Sequence, residues 1–326
     1  PADVTLESGY GDSADRAILL GALLKAAGID YRFVAATSLG YAQETTRPLM
    51  RAPQDIFSKV LVYLPAFDSH LNDTGEYASL GSTESEESIG LVLESGRLMT
   101  IRPRRKGESS VAVSCRIRLR ADGSAELSFE DSYFGLPYQS IRRKFKEMTP
   151  AETGQYFEAL AAGVSQTAEF KGKPVTEFDT YPGKLYYTLE VPHFAAVSGN
   201  FLQFELPGFS DLADRVRTAA SSRRTPLWRN STSKIELDYR VELPANFIPV
   251  GLGPERWEFG KPGSVDFYRQ VEGGPGTLRI ECGLTLPVEL VPATDYGKLV
   301  ALQKELSKLS ASRIILRQRQ QEGADK

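Results

Sequence analysis

Gly11-Asp12-Ser13-Ala14-Asp15-Arg16-Ala17-Ile18-Leu19-Leu20-Gly21-Ala22-Leu23-Leu24-Lys25-Ala26-Ala27-Gly28-Ile29 sets the frame for the rest of the chain. A short polar turn runs directly into an apolar segment with helical spacing, and a β-rich run follows at 31–36. Asp12 or Ser13 suits an N-cap, because a short side-chain oxygen can accept from an unpaired N–H of the first turn. Ile18, Leu19, Leu20, Leu23, Leu24 and Ala27 make a wide apolar face, which predicts a largely buried helix. Gly28 is placed to end it in a left-handed conformation. A small hydroxyl residue at the start of such a helix is also one way to present a nucleophile, since the helix dipole favours negative charge there.

Outward from this helix, residues 1–102 read as α+β. A loop at 41–55 contains Pro48 and Pro53, and the run 57–64 reads as a buried strand closed by Pro65. Residues 70–74 read as a short strand or turn, the acidic 83–87 as a surface loop, and 90–101 as a hairpin turning at Ser95-Gly96. From 103 the chain becomes strand-rich. Val111, Val113, Cys115, Ile117 and Leu119 alternate, and Ala121-Asp122-Gly123-Ser124 leads into a second strand at 125–131. Helices are expected at 141–148 and 150–162, the latter opened by Thr149 with Pro150 at its first position. Strands at 165–171, 184–191, 201–206, 231–243, 256–259, 264–272 and 277–286 continue the pattern. Many strands with one apolar face predict an antiparallel β-sandwich over 103–292, with the basic, Ser-rich 215–224 dividing it into halves. A helix at 293–309 and a strand at 313–316 close the ordered chain at 317, and 318–326 reads as a disordered tail.

The 326 residues carry 41% hydrophobic and 25% charged side chains, ordinary values for a water-exposed globular chain, and their length predicts two or three domains. A net charge of −3 gives no general attraction to nucleic acid, and no apolar run approaches the ~20 residues that span a bilayer. The chain starts at Pro1 without Met and reads as a mature or excised piece. Cys115 and Cys282 both fall in strand-like runs and read as buried thiols or as one disulfide. With two histidines and no Cys/His cluster, neither a metal site nor a cofactor is expected.

The opening helix resembles the nucleophile helix of bacterial transglutaminase-like proteins, in which a Gly-Asp-Cys turn enters an Ala/Leu-rich helix ending in Ala-Gly-Ile. Ser13 stands at the cysteine position. The family's histidine motif resembles Phe57-Ser58-Lys59-Val60-Leu61-Val62-Tyr63-Leu64-Pro65, which puts Lys59 at the histidine. Its third motif resembles His70-Leu71-Asn72-Asp73-Thr74, followed by Tyr77-Ala78 and Gly81, which puts Asn72 at the aspartate. The resemblance therefore implies a papain-like core with all three catalytic positions substituted, a pseudoenzyme. The region 103–292, with Pro244, Pro254 and Tyr296, is similar to the β-rich domain that follows this core in large bacterial envelope proteins. That implies a periplasmic or cell-envelope location and a binding or scaffolding role toward a protein or envelope glycan. In those relatives further elements precede the nucleophile helix, so the 14–27 helix is expected to expose apolar surface unless a preceding segment or another chain covers it.

Two other functions remain open on the residues. Acyl transfer or amide hydrolysis through Ser13 would need Lys59, or His70 with Asp68 or Asp73, as base. A carbohydrate-binding sandwich would need an exposed row drawn from Tyr186, Tyr187, Phe194, Phe201, Phe204, Phe209, Trp228 and Trp257. His193, between Pro192 and Phe194, reads as a turn or packing residue. Arg142, Arg143, Lys144 and Lys146 read as a solvated basic helix face.

Overall fold

A computed structural model describes residues 2–40, 56–71, 75–102, 109–229, 232–252, 255–260, 264–274, 276–287 and 289–319. The chain is α+β and sheet-rich, and among the described residues no helix is long and apolar enough to cross a membrane. The described residues of its first part include α1 (Ala2–Ser8), α2 (Ser13–Ala26) and a five-stranded antiparallel sheet. The strands are β1 (Arg32–Gly40), β2 (Phe57–Leu64), β3 (Ser69–Leu71), β4 (Ser88–Val92) and β5 (Arg97–Thr100), in the order β3-β2-β1-β4-β5. The β4–β5 pairing confirms the expected hairpin, with Gly96 supplying the positive φ of its turn. The loop expected at 41–55 lies outside the described residues.

The second part is built on a sheet of nine strands. Its strands include β6 (Ser110–Leu119), β7 (Ala125–Tyr133), β10 (Gly183–Val191), β14 (Ser233–Glu242), β17 (Asp266–Gly274) and β18 (Thr277–Leu286). The central order runs β17-β18-β14-β6-β7-β10. One face is largely apolar: Cys115, Ile117 and Leu119, then Leu127 and Phe129, then Leu185, Leu189 and Val191, then Ile235, Leu237 and Val241, all buried. The opposite face carries ion-paired charges such as Lys184–Glu130 and Arg279–Asp238. This is the period-2 alternation of a sheet covered on one side.

The expected sandwich needs two corrections. β14 pairs with β6 in parallel, Tyr239 beside Cys115, so the sheet is mixed rather than antiparallel. Parallel neighbours need a long crossover, and the chain between β6 and β14 supplies it across the apolar face. The covering layer is also mixed. It comprises α3 (Gly135–Glu147), α4 (Pro150–Val164), α5 (Asp211–Val216), α6 (Tyr296–Leu306) and a four-stranded sheet that includes β12 (Phe201–Glu205) and β20 (Arg313–Gln318). Leu202, Phe204, Leu212, Val216, Leu299, Leu302, Ile314 and Leu316 from this layer share one apolar core with the large sheet.

That shared core also redraws the expected boundaries. Residues on both sides of 215–224 contribute strands to the same sheet, so no division falls there. The C-terminal helix and strand are part of the same core, since β20 pairs with β12 and runs on to Gln318. Residues 320–326 of the expected disordered tail lie outside the described residues. α4 begins as its sequence dictates: Thr149 and Glu152 form a reciprocal capping box, and Pro150 opens the helix.

Candidate functional site

Two of the three positions singled out by their motifs, Ser13 and Lys59, lie on α2 and β2. Asp12, not Ser13, caps α2. Its Oδ1 accepts from the Asp15 amide at 2.8 Å, and the Asp12 amide donates to Asp15 Oδ2 at 3.3 Å. Ser13 is the first helical residue, half-buried. At the far end, the Ile29 amide donates to Leu24 O and Gly28 takes φ +72°, the left-handed stop expected of it.

The expectation of a largely buried helix fails. Only Ala17 and Gly21 are buried, while Ile18 and Leu23 are 44% and 54% exposed. α2 is apolar nearly all round, and one sheet face can cover only one side of it. The covered side packs Ala17, Leu20 and Leu24 against Val60, Val62, Leu64, Phe33 and Leu71. Close approach depends on Gly21, where a Cβ would come within 2.7 Å of the Tyr31 ring and 2.8 Å of the Phe33 ring. The exposed side continues into α1, where Val4 and Leu6 are also exposed.

Strand alternation then separates the candidate pair. Val60, Val62 and Leu64 of β2 face α2, so Lys59, Leu61 and Tyr63 face the other way. There Leu61 packs with Val34, Ala36, Val92 and Ile101 in a separate cluster. Lys59 pairs with Glu84, Nζ to Oε2 2.5 Å. No hydrogen bond or ion pair joins Ser13 to Lys59 or to His70 among the described residues. Asn72 and Asp73 lie outside the described residues.

His70 sits opposite Tyr63 on β3, its ring 4.7 Å from the Tyr63 ring and therefore on the Lys59 side of the sheet. It is 1% exposed, and neither ring nitrogen has a hydrogen-bond partner. Burial pushes its imidazole down to about 4, opposed in part by the charge of Asp68. Asp68 instead accepts from the Tyr63 hydroxyl at 2.9 Å. His70 is thus a neutral, buried packing residue and does not face the start of α2.

The remaining candidates resolve as structure. Tyr187, Phe204 and Phe209 are core residues, and Phe194 packs on Phe204 at 5.2 Å. Phe201 and Trp257 are exposed, on β12 and on the edge strand Glu255–Gly260, while Tyr186, Phe194 and Trp228 are half-buried. Of the basic residues of α3, Arg143 pairs with Glu147 and Lys146 with Asp179. Arg142 and Lys144 lie over the rings of Tyr138 and Tyr156. Cys115 and Cys282 are free and buried, and burial raises both thiols, Cys282 to about 12. His193 is exposed and lines an open cleft of about 610 Å³ with Asp122, Ser165 and Glu205.

Sequence reasoning missed a buried polar group under the α3–α4 hairpin. Asp131 is 5% exposed, its Oδ1 has no partner among the described residues, and its Oδ2 accepts from the Tyr133 hydroxyl at 3.4 Å. The signal was available: 125, 127, 129 and 131 share a face, and the first three are Ala, Leu and Phe. A carboxylate at the fourth inward position breaks that pattern.

The chain shows only slight likeness to known proteins. No family model matches it, and no curated protein matches it in sequence. Among solved structures it is similar to a crystal structure of a "putative protease" from Parabacteroides distasonis, at 14% identity and a TM-score of 0.49. That similarity covers 97% of this chain and 46% of the other, so the chain spans about half the length of its neighbour. At this identity and TM-score the likeness decides neither fold nor activity.

Proposed function

We propose that this chain is a non-catalytic, transglutaminase-like module of the bacterial cell envelope, in which the old catalytic positions Ser13, Lys59 and Asn72 no longer carry acyl transfer. On this reading the first part is a papain-like remnant, and the strand-rich part is a scaffold that engages a protein or an envelope glycan. The supporting observation is the orientation of Lys59, which points to the sheet face away from α2 and is held by Glu84. A serine hydroxyl needs a base to take its proton before it attacks a carbonyl. His70, the alternative base, faces the same way as Lys59 and holds no hydrogen bond that could orient it.

The test pairs two measurements. The wild-type protein is treated with a fluorophosphonate, and the triple revertant Ser13→Cys, Lys59→His, Asn72→Asp is assayed for thiol labelling and for transamidation. The reading expects no labelling of Ser13 in the wild type. Adduct formation at Ser13 would overturn it in favour of a serine acyl transferase or hydrolase. A reactive thiol in the revertant alone supports loss of chemistry by substitution. An unreactive thiol in a folded revertant would count against the transglutaminase-like alignment itself.

A further inference from the structure

The α3–α4 hairpin lies on the apolar face of the large sheet, with α3 against β6, β7 and β10. Asp131 sits beneath it, between Val113 of β6 and Leu185 of β10 in the sheet register. The Tyr133 hydroxyl donates to Asp131 Oδ2 at 3.4 Å, and Tyr156 of α4 comes close enough to feel the charge of that carboxyl. The other carboxyl oxygen, Oδ1, is buried beneath the hairpin with no hydrogen-bond partner among the described residues. Around it lie the ring of Phe145, 5.1 Å by centroid from Tyr156 and 4.8 Å from Phe178, and the stacked pair Phe129–Tyr187. A neutral carboxyl is tolerated in such a site, whereas a carboxylate with an open oxygen is strongly disfavoured.

The titratable groups that face Asp131 are Tyr133 on its own strand, Tyr156 from α4, Cys115 from β6 and Tyr187 from β10. All are neutral through ordinary pH, and none brings a positive charge. The cations of α3 are turned to aromatic rings, Arg142 at 5.9 Å from the Tyr138 centroid and Lys144 at 4.3 Å from that of Tyr156.

We propose that Asp131 is a proton-operated fastener: with its carboxyl protonated the α3–α4 hairpin stays seated on the sheet, and loss of that proton lets the hairpin lift as a unit. Burial raises this carboxyl to about 7, against the weaker opposing effect of the Tyr133 hydroxyl. The seated form therefore binds a proton that the lifted form, with Asp131 in water, releases above about pH 4. Closure is firmest in mild acid, weakens by about tenfold in its opening constant per pH unit between about pH 5 and 7, and levels off above about pH 8.

Amide hydrogen exchange followed by mass spectrometry, corrected for the intrinsic chemical rate, reads this opening directly in the intact chain. In the wild type, amides of residues 135–164 should exchange through a cheaper opening than those of β6, β14 and β18, and that opening should grow with pH as stated. In Asp131→Asn, which keeps the shape and cannot ionise, the hairpin opening should not change with pH. A pH-independent hairpin in the wild type would overturn the proposal, as would hairpin amides that exchange only together with the sheet. Persistence of the full pH response in a folded Asp131→Asn protein would assign it to another group. The wild-type series stands alone if that variant fails to fold.

Discussion

Two buried titratable residues, one in each part of the chain, respond to protons in opposite senses. Asp131 is held above its ordinary range and His70 below it, in each case because burial penalises the charged form. For His70 the folded chain binds fewer protons than the unfolded chain between about pH 4 and 6.5. Its contribution is therefore complete above the unfolded value and lost as pH falls through the folded one. A shift of this size corresponds to about 3 kcal/mol. We expect the five-stranded sheet to become labile between pH 6.5 and 4, and His70→Phe, which keeps the ring beside Tyr63, to remove that acid sensitivity. Near-ultraviolet circular dichroism across this pH range, with urea midpoints at each pH, measures it. An unchanged acid transition in the variant would place the sensitivity elsewhere.

At the scale of elements, α2 separates what its sequence declares from what only the fold decides. Its start, its end and the strand that follows were readable from Asp12, Gly28 and the alternation after residue 30, because caps and turns depend on local chemistry. Which side of an all-apolar helix becomes buried was not readable, because no polar stripe marks the answer. For the same reason the motif match at Lys59 could be aligned in sequence, but its direction depended on which residues of β2 face the helix. Asp131 lay in the right register to be noticed, yet its orphaned oxygen depends on the helices above it. The capping assignment predicts that Asp12→Ala costs about 1 kcal/mol. Ser13→Ala should stay within about 0.5 kcal/mol, since Ser13 is not the cap. Gly21→Ala sets two effects against each other. Alanine favours a helix interior by about 1 kcal/mol. Its Cβ, however, would press on the Tyr31 and Phe33 rings at 2.7 and 2.8 Å. Overpacking of this kind costs about 1–3 kcal/mol, so the net change should be destabilising. Chemical denaturation of the three variants tests all three signs, and a stabilised Gly21→Ala protein would show that α2 sits more loosely than its glycine implies.

At the scale of the molecule, the two parts differ in how much core holds them. The nine-stranded sheet, its helices and the four-stranded sheet share one continuous apolar cluster, and central strands such as β14 are paired on both sides over their whole length. The five-stranded sheet instead divides its apolar residues between two small clusters, one per face, and among the described residues its helical cover is the half-buried α2. The joints between the parts include polar ones, Ser109 Oγ donating to Glu86 Oε2 at 3.1 Å and Thr232 donating to Glu87. Polar joints of this kind transmit little cooperativity compared with a shared apolar core. The first part should therefore open before the second. In guanidinium, amides of β1 and β2 should lose protection at a lower midpoint than those of β6, β14 and β18. Acidification from pH 7 to 5 should widen that gap, because it favours the opened first part, in which a solvated His70 takes up a proton that the folded sheet excludes, while it neutralises Asp131 in the second. A single coincident transition at both pH values would mean that the two parts fold as one cooperative unit, and that the small clusters draw on the large core more than their contacts indicate.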